Sequence, residues 1–398
     1  MTTPATSTPS PWLTATFSYA NMFTVGTFYA ASALQAELPR LLGTSPDWAM
    51  APFGSACIGL SVGLSQAAAL IDRHSAPRVA GRGAMLWGAA VLITGLSLQY
   101  ASFAGIVAAF FLGGIGVGWT YLAVVIMVSQ ALPQSRLARS AIGPLGFSTG
   151  VAATLLLRSF AQFEVQDCQS LGRMLMVGGA IGVLVGGMTI LTIAPSSSNA
   201  PTTIPSIKPR HLSKEISYYS ILLFLNALPG MTLFASLLPI ASASLSPSSE
   251  IKIEIEPKLA IGMTALAAGG VFSPVLGSPR IVLLSLFVLR GLLLLLWNPD
   301  SMTTTATFLL TLFAHGAGFS ILPGVIKDLC GRSRPPMPFA HVYGRVLMSW
   351  GAAGLVGCVF NVWMGSLDGL AVVLGVVMMG GGCGCIFLGC LDAGWGEL

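Results

Sequence analysis

The side chains that could do chemistry in this chain are few, and most of them are uncharged. Tyr29 and Gln35 stand six residues apart, nearly two helical turns, so one helix can turn both to the same side. A phenol and an amide can hydrogen-bond a carboxylate or a hydroxyl without carrying charge themselves. Asn226 and Pro229 lie in FLNALPG, which suggests a bent helix with one polar group facing inward. Arg290 sits in SLFVLRGLLLLLW and His315 in LFAHGAG. They are the only titratable groups well inside long apolar runs. A cation at the centre of a bilayer costs about 2.5–3.5 kcal/mol. Arg290 is therefore read either as a ligand for a solute or as a scaffold that bonds carbonyls between helices. His315 is read either as a titrating site or as a hydrogen-bonded packing residue. No apolar run holds paired carboxylates or a histidine cluster, which speaks against a membrane enzyme. Cys383-Gly384-Cys385 lacks a second ligand pair and a nearby histidine, so no metal is expected there, and no cofactor elsewhere.

The elements that must carry these residues follow from hydropathy. Charged residues make up 8% of the chain and apolar ones 54%, with a mean hydropathy of +0.81. A soluble domain carries about a quarter charged residues, so this chain needs lipid as its solvent. Apolar runs long enough for a helical crossing fall at about 14–36, 50–71, 80–99, 103–130, 140–161, 171–193, 217–243, 259–277, 281–297, 304–326, 344–364 and 370–391. The expected fold is an all-α membrane protein of twelve transmembrane helices in two six-helix halves. Residues 1–13 read as a disordered tail, 14–193 as the first half and 217–392 as the second. The Ser-, Pro- and base-rich stretch at 194–216 reads as a cytoplasmic linker.

Loop charge supports this arrangement. With the N-terminus inside, the inner loops hold 13 of the 19 basic residues and the outer loops 5, while 9 of the 14 acidic residues fall outside. An excess of Lys and Arg marks the cytoplasmic side. Both termini are expected there, most naturally at the plasma membrane, with an organelle membrane as the second choice. The scattered cations form no basic stripe, so a nucleic-acid partner is not expected. The expected partners are the bilayer and a small-molecule substrate, with the chain acting as a monomer.

The halves also echo one another. Span 4 reads GGIGVGWTYLAVVI and span 10 reads HGAGFSILPGVI, each followed by a basic loop. Glycine at these spacings lets helices approach closely. Two parallel six-span repeats are the plan of major facilitator transporters, which bind substrate near the membrane midplane between the halves. The loop AALIDRHSAPR resembles the facilitator signature between spans 2 and 3. Asp72, Arg73 and Arg78 match it, while Ala68 replaces the expected Gly and Ser75-Ala76 lengthens the turn. The resemblance implies a charge latch in which Asp72 faces a helix N-terminus, or Arg136 and Arg139, while the inner gate is shut. The plainer reading is a charged loop that only sets topology. The corresponding GSPRIV of the second half keeps only Gly277 and Arg280.

A finer resemblance is to the oxalate–formate antiporter and monocarboxylate-porter-like branch. It is carried by YAASALQAEL at the end of span 1, GIGVGWTY in span 4, LPQSRLARSAIGPLGFSTG leading into span 5, and VYGRVLMSWGAAGLVG in span 11. It implies that Tyr29, Gln35 and Tyr121 line a central cavity, although tyrosines at these places also suit interfacial or packing roles. The span 11 lysine of oxalate carriers aligns with Trp350, and span 8 lacks their arginine. The span 1 lysine and span 8 Asp–Arg pair of proton-coupled monocarboxylate porters are also absent. The chain thus reads as a transporter of a small organic anion or related metabolite by alternating access, working by uniport or exchange. An exporter of amphipathic metabolites or drugs is the first alternative. A non-transporting receptor on the same fold is the second.

Overall fold

Inside a bilayer every backbone N–H and C=O must find its partner within the protein, so a chain this apolar is driven to helices. The computed structural model describes residues 9–30, 37–160, 167–194, 213–243, 255–296, 302–333, 337–364 and 367–384. Among the described residues every regular element is helical. The six principal helices of the first half are α1 (Pro11–Ala30), α2 (Ala51–His74), α3 (Ala76–Gln99), α4 (Phe103–Ala131), α5 (Arg136–Phe160) and α6 (Cys168–Ile193). Those of the second are α7 (Ser213–Ala243), α8 (Ile255–Phe272), α9 (Pro279–Leu295), α10 (Met302–Arg332), α11 (Phe339–Met364) and α12 (Leu367–Val377), the last continued by a π turn over Met378–Gly382. By length and composition, α2 to α7, α10 and α11 can each cross a membrane, while α8, α9 and α12 contain shorter apolar segments. The chain is an integral, multi-pass membrane protein.

Two expectations shift. Helix α1 begins at Pro11, inside the stretch expected as a tail over 1–13; proline suits the first position of a helix, where an N–H would have no partner. The linker expected over 194–216 yields its last residues to α7, which begins at Ser213. The rest of both segments lies mostly outside the described residues.

Loop residues end the helices cleanly. Ser102 Oγ accepts from the Gly105 N–H at 3.2 Å at the start of α4. Asp167 Oδ1 accepts from the Ser170 N–H at 2.7 Å at the start of α6. That backbone donor holds the Asp167 carboxyl below the usual carboxylate range. The cap is therefore fully charged near neutral pH and fades only as pH falls through the lowered value.

The packing repeats with an offset of six helices. In the first half α1 packs on α5, α2 on α4 and α3 on α6; in the second, α7 packs on α11, α8 on α10 and α9 on α12. Glycine makes the equivalent contacts possible. A Cβ at Gly114 would meet the Ala56 carbonyl of α2, and one at Gly316 the Leu266 carbonyl of α8. The echo between spans 4 and 10 thus corresponds to the same helix pairing. The two groups of helices meet along α2 with α11 and α5 with α8. One end of this bundle gathers Arg139 and Lys327 around a cavity and joins Asp72 to His341. It is the basic end.

Candidate functional site

The site is built where the two groups of helices meet. Tyr29, near the end of α1, is buried among rings from both. Its ring stacks on Phe234 of α7 at 4.0 Å between centroids and meets Phe147 of α5 edge-on at 4.9 Å. Trp350 of α11 packs on Tyr121 of α4 at 5.1 Å and on Phe319 of α10 at 4.9 Å. His315, one turn before Phe319, lies 5.0 Å from it. Such offset and edge-to-face pairs are worth about 0.5–1.5 kcal/mol each beyond the area they bury. The rings leave a gap of about 20 Å³ between them, room for no more than a single water. The site is closed in this conformation.

A directed hydrogen-bond chain runs through the cage. An indole N–H can only donate, so the 2.9 Å contact between Trp350 Nε1 and the Tyr29 hydroxyl makes that oxygen the acceptor. The single Tyr29 proton is then free for His315 Nε2 at 3.1 Å, or for the weaker acceptor Met231 Sδ at 3.1 Å. The tautomer of His315 sets which atom donates in its contact with Tyr29, and its Nδ1 faces the α7 backbone beside Gly230. A Cβ at Gly230 would fall on the histidine ring. Glycine there lets His315 reach the cage.

Arg290 stands one layer behind. Its Nη1 donates to the Asn226 carbonyl at 3.0 Å, and its Nη2 lies 2.9 Å from Met378 Sδ. The guanidinium also faces the Phe287 ring at 5.4 Å. Asn226 in turn donates from Nδ2 to the His315 carbonyl at 3.3 Å. Arg290 thus ties α9 to α7 and α12, and it reaches the cage only through Asn226. It does not line the gap, and neither does Asn226. Gln35 lies outside the described residues.

The gating candidates divide. Asp72 is half-exposed at the end of α2, and its Oδ2 lies 2.7 Å from His341 Nε2. His341 is in the first turn of α11. The carboxylate therefore does face a helix N-terminus, but its partner is His341 rather than Arg136 or Arg139. Arg139 instead lines the cavity at the basic end. The side chain of Arg136 is not among those described. Arg73 is exposed and Arg78 half-buried in the same stretch of chain.

Sequence reasoning missed Phe147, Phe234, Phe319 and Met231. A phenylalanine in an apolar run looks the same whether it faces lipid or a cage. His341 was missed because its partner lies 269 residues away; its only local signal was a polar ring at the start of a span.

No family model matches the chain, and no curated protein matches it in sequence. Solved structures do. The nucleoside transporter NupG, as a point mutant, superposes with a TM-score of 0.66 at 14% identity, covering 93% of this chain and 99% of that one. A second NupG structure gives a TM-score of 0.60 at 13% identity, over 93% and 98%. The chain shares the fold of that transporter along nearly its whole length.

Proposed function

We propose that this chain is a transporter that works by alternating access and holds a small planar organic solute in the aromatic cage. The observation that carries the reading is the make-up of the cage: Tyr29, Tyr121 and Phe147 come from the first group of helices, Phe234, His315, Phe319 and Trp350 from the second. Rocking one group against the other must open the cage, and closing it must desolvate whatever lies inside. Ring faces favour flat solutes. The hydroxyl, indole and imidazole offer hydrogen bonds without charge.

Within this class, the sequence resemblance favours a monocarboxylate, which would place aryl or small planar acids first. A nucleoside-like heteroaromatic solute is the second reading. It is favoured by the stacking geometry and by the solute named for the NupG transporter that shares the fold. The exporter reading is disfavoured because, among the described residues, the cage walls carry no carboxylate. The basic end would face the cytoplasm, with both termini on that side.

Counterflow in proteoliposomes tests the proposal, with benzoate, benzamide and uridine as probes. At least one should exchange. Trp350→Ala should abolish that exchange while the protein still elutes as a folded species in detergent. Exchange that survives loss of Trp350 would remove the cage from the pathway.

A further inference from the structure

The two groups of helices meet unevenly towards the basic end. Along α2 and α11 the seam is shut over several turns. Asp72 pairs with His341, and Ser61 Oγ donates to the Met348 carbonyl at 3.0 Å. Along α5 the contact stops sooner. Pro144 has no N–H, so the Ser140 carbonyl one turn earlier loses its helical partner. Ser320 Oγ of α10 fills that gap, donating to the Ser140 carbonyl at 3.1 Å. Beyond this bond a cavity of about 260 Å³ opens between the ends of α4, α5 and α10 and the turn after α8.

The cavity is polar where the cage is aromatic. Ser129, Ser140, Ser273 and Ser320 line it, with Arg139 and Lys327 set against the carboxylate of Asp328. The balance of charge is positive. A guanidinium offers paired donors that match a carboxylate or sulfonate, and a concave wall concentrates the field of its charges. The cavity also abuts the cage. Ser320 follows Phe319 in sequence, and Ser140 lies one turn from Pro144, which itself borders the cage gap.

We infer that this cavity is a second solute station, selective for small organic anions, and that solute passes between it and the cage at the Ser140–Ser320 bond while the α2/α11 seam stays shut. The inference rests on the transport reading for what the station serves, but its chemistry can be tested without transport.

The test uses the full chain with its seven cysteines replaced by alanine and a reporter, Val325→Cys, placed in the cavity wall. Two methanethiosulfonate reagents are compared, one carrying a sulfonate and one a trimethylammonium group. Each rate is divided by that reagent's rate with 2-mercaptoethanol. The sulfonate should be favoured at least fivefold, and Arg139→Gln should cut this preference at least threefold. A reporter at Leu64, which is buried in the α2/α11 seam, should react with neither reagent. An unreactive Val325 reporter, equal or inverted charge preference, indifference to Arg139→Gln, or a reactive Leu64 reporter would each overturn the inference.

A second measurement does not need the cysteine-free background. Benzoate should raise the melting temperature of the wild-type chain more than benzamide does, and Arg139→Gln should erase the difference. Equal shifts would overturn the station. Anion preference without counterflow would refute transport alone, and counterflow without anion preference would refute the station alone.

Discussion

The Tyr29 hydroxyl meets Trp350 Nε1, His315 Nε2 and Met231 Sδ inside the cage. Tyr29→Phe keeps the ring stacked on Phe234 but strands the Trp350 N–H and the His315 Nε2. Leaving a buried polar group without a partner costs about 1–3 kcal/mol, so thermal denaturation in detergent should show a loss of that order. Trp350→Phe should cost less in a Tyr29→Phe background than in the wild type, because its donor is already stranded; additive losses would break the chain proposed here. Arg290 tests the layer behind. Arg290→Ala should lower the melting temperature by opening a gap between α7, α9 and α12. Arg290→Met should restore much of the loss, since a well-packed apolar replacement for a buried charge is often neutral. Normal stability with lost solute binding in both variants would instead make Arg290 a ligand. At this scale the sequence showed which residues were unusual, but not which of them meet. Tyr29, Tyr121, His315 and Trp350 converge, whereas Arg290 and Asn226 stand behind them. An apolar run marks a polar residue as costly without fixing the direction it points.

At the scale of helices, hydropathy alone located most of the spans, because a bilayer demands a long apolar run from each crossing. Their ends moved by a few residues, where proline and capping side chains decide rather than hydropathy. Contacts between helices were less legible. The signature loop around Asp72 was recognisable, but its link to α11 depends on how two distant helix ends are brought together. A double-mutant cycle tests that link. Asp72→Asn and His341→Gln should each loosen the α2/α11 seam, which is shut in the wild type, and the double variant should add little to either. Accessibility of a cysteine placed at Ser61 measures the opening; independent effects would show that the pair is only a surface contact. The α5/α10 link makes a sharper case, since its acceptor is a carbonyl whose usual helical donor position is taken by Pro144. Ser320→Ala should destabilise the wild-type chain by about 1–3 kcal/mol. In a Pro144→Ala background, where the backbone regains an N–H that can bond the Ser140 carbonyl, the same change should cost much less. Equal costs in the two backgrounds would show that the proline plays no part in this contact.

The whole molecule combines an aromatic, uncharged cage with a polar, positively charged cavity beside it, on a fold whose two groups of helices repeat the same pairings. This arrangement bears on energy coupling. Proton-driven carriers need a group that changes charge near the midplane as the site alternates. Among the described residues, no carboxylate lines the cage, and Glu37, just after the first apolar run, is paired with Arg40 at 2.9 Å. His315 contributes the cage's imidazole, and its Nε2 already faces the Tyr29 hydroxyl. The expected mechanism is therefore facilitated diffusion or exchange, driven by the solute's own gradient. In proteoliposomes loaded with a transported probe, counterflow should be robust, and an imposed pH gradient should not concentrate the probe. Accumulation that collapses with a protonophore would refute this mechanism. His315→Gln then identifies the source: loss of accumulation with exchange intact would make His315 the proton site. Loss of both would leave it a structural member of the cage, with coupling carried elsewhere in the chain.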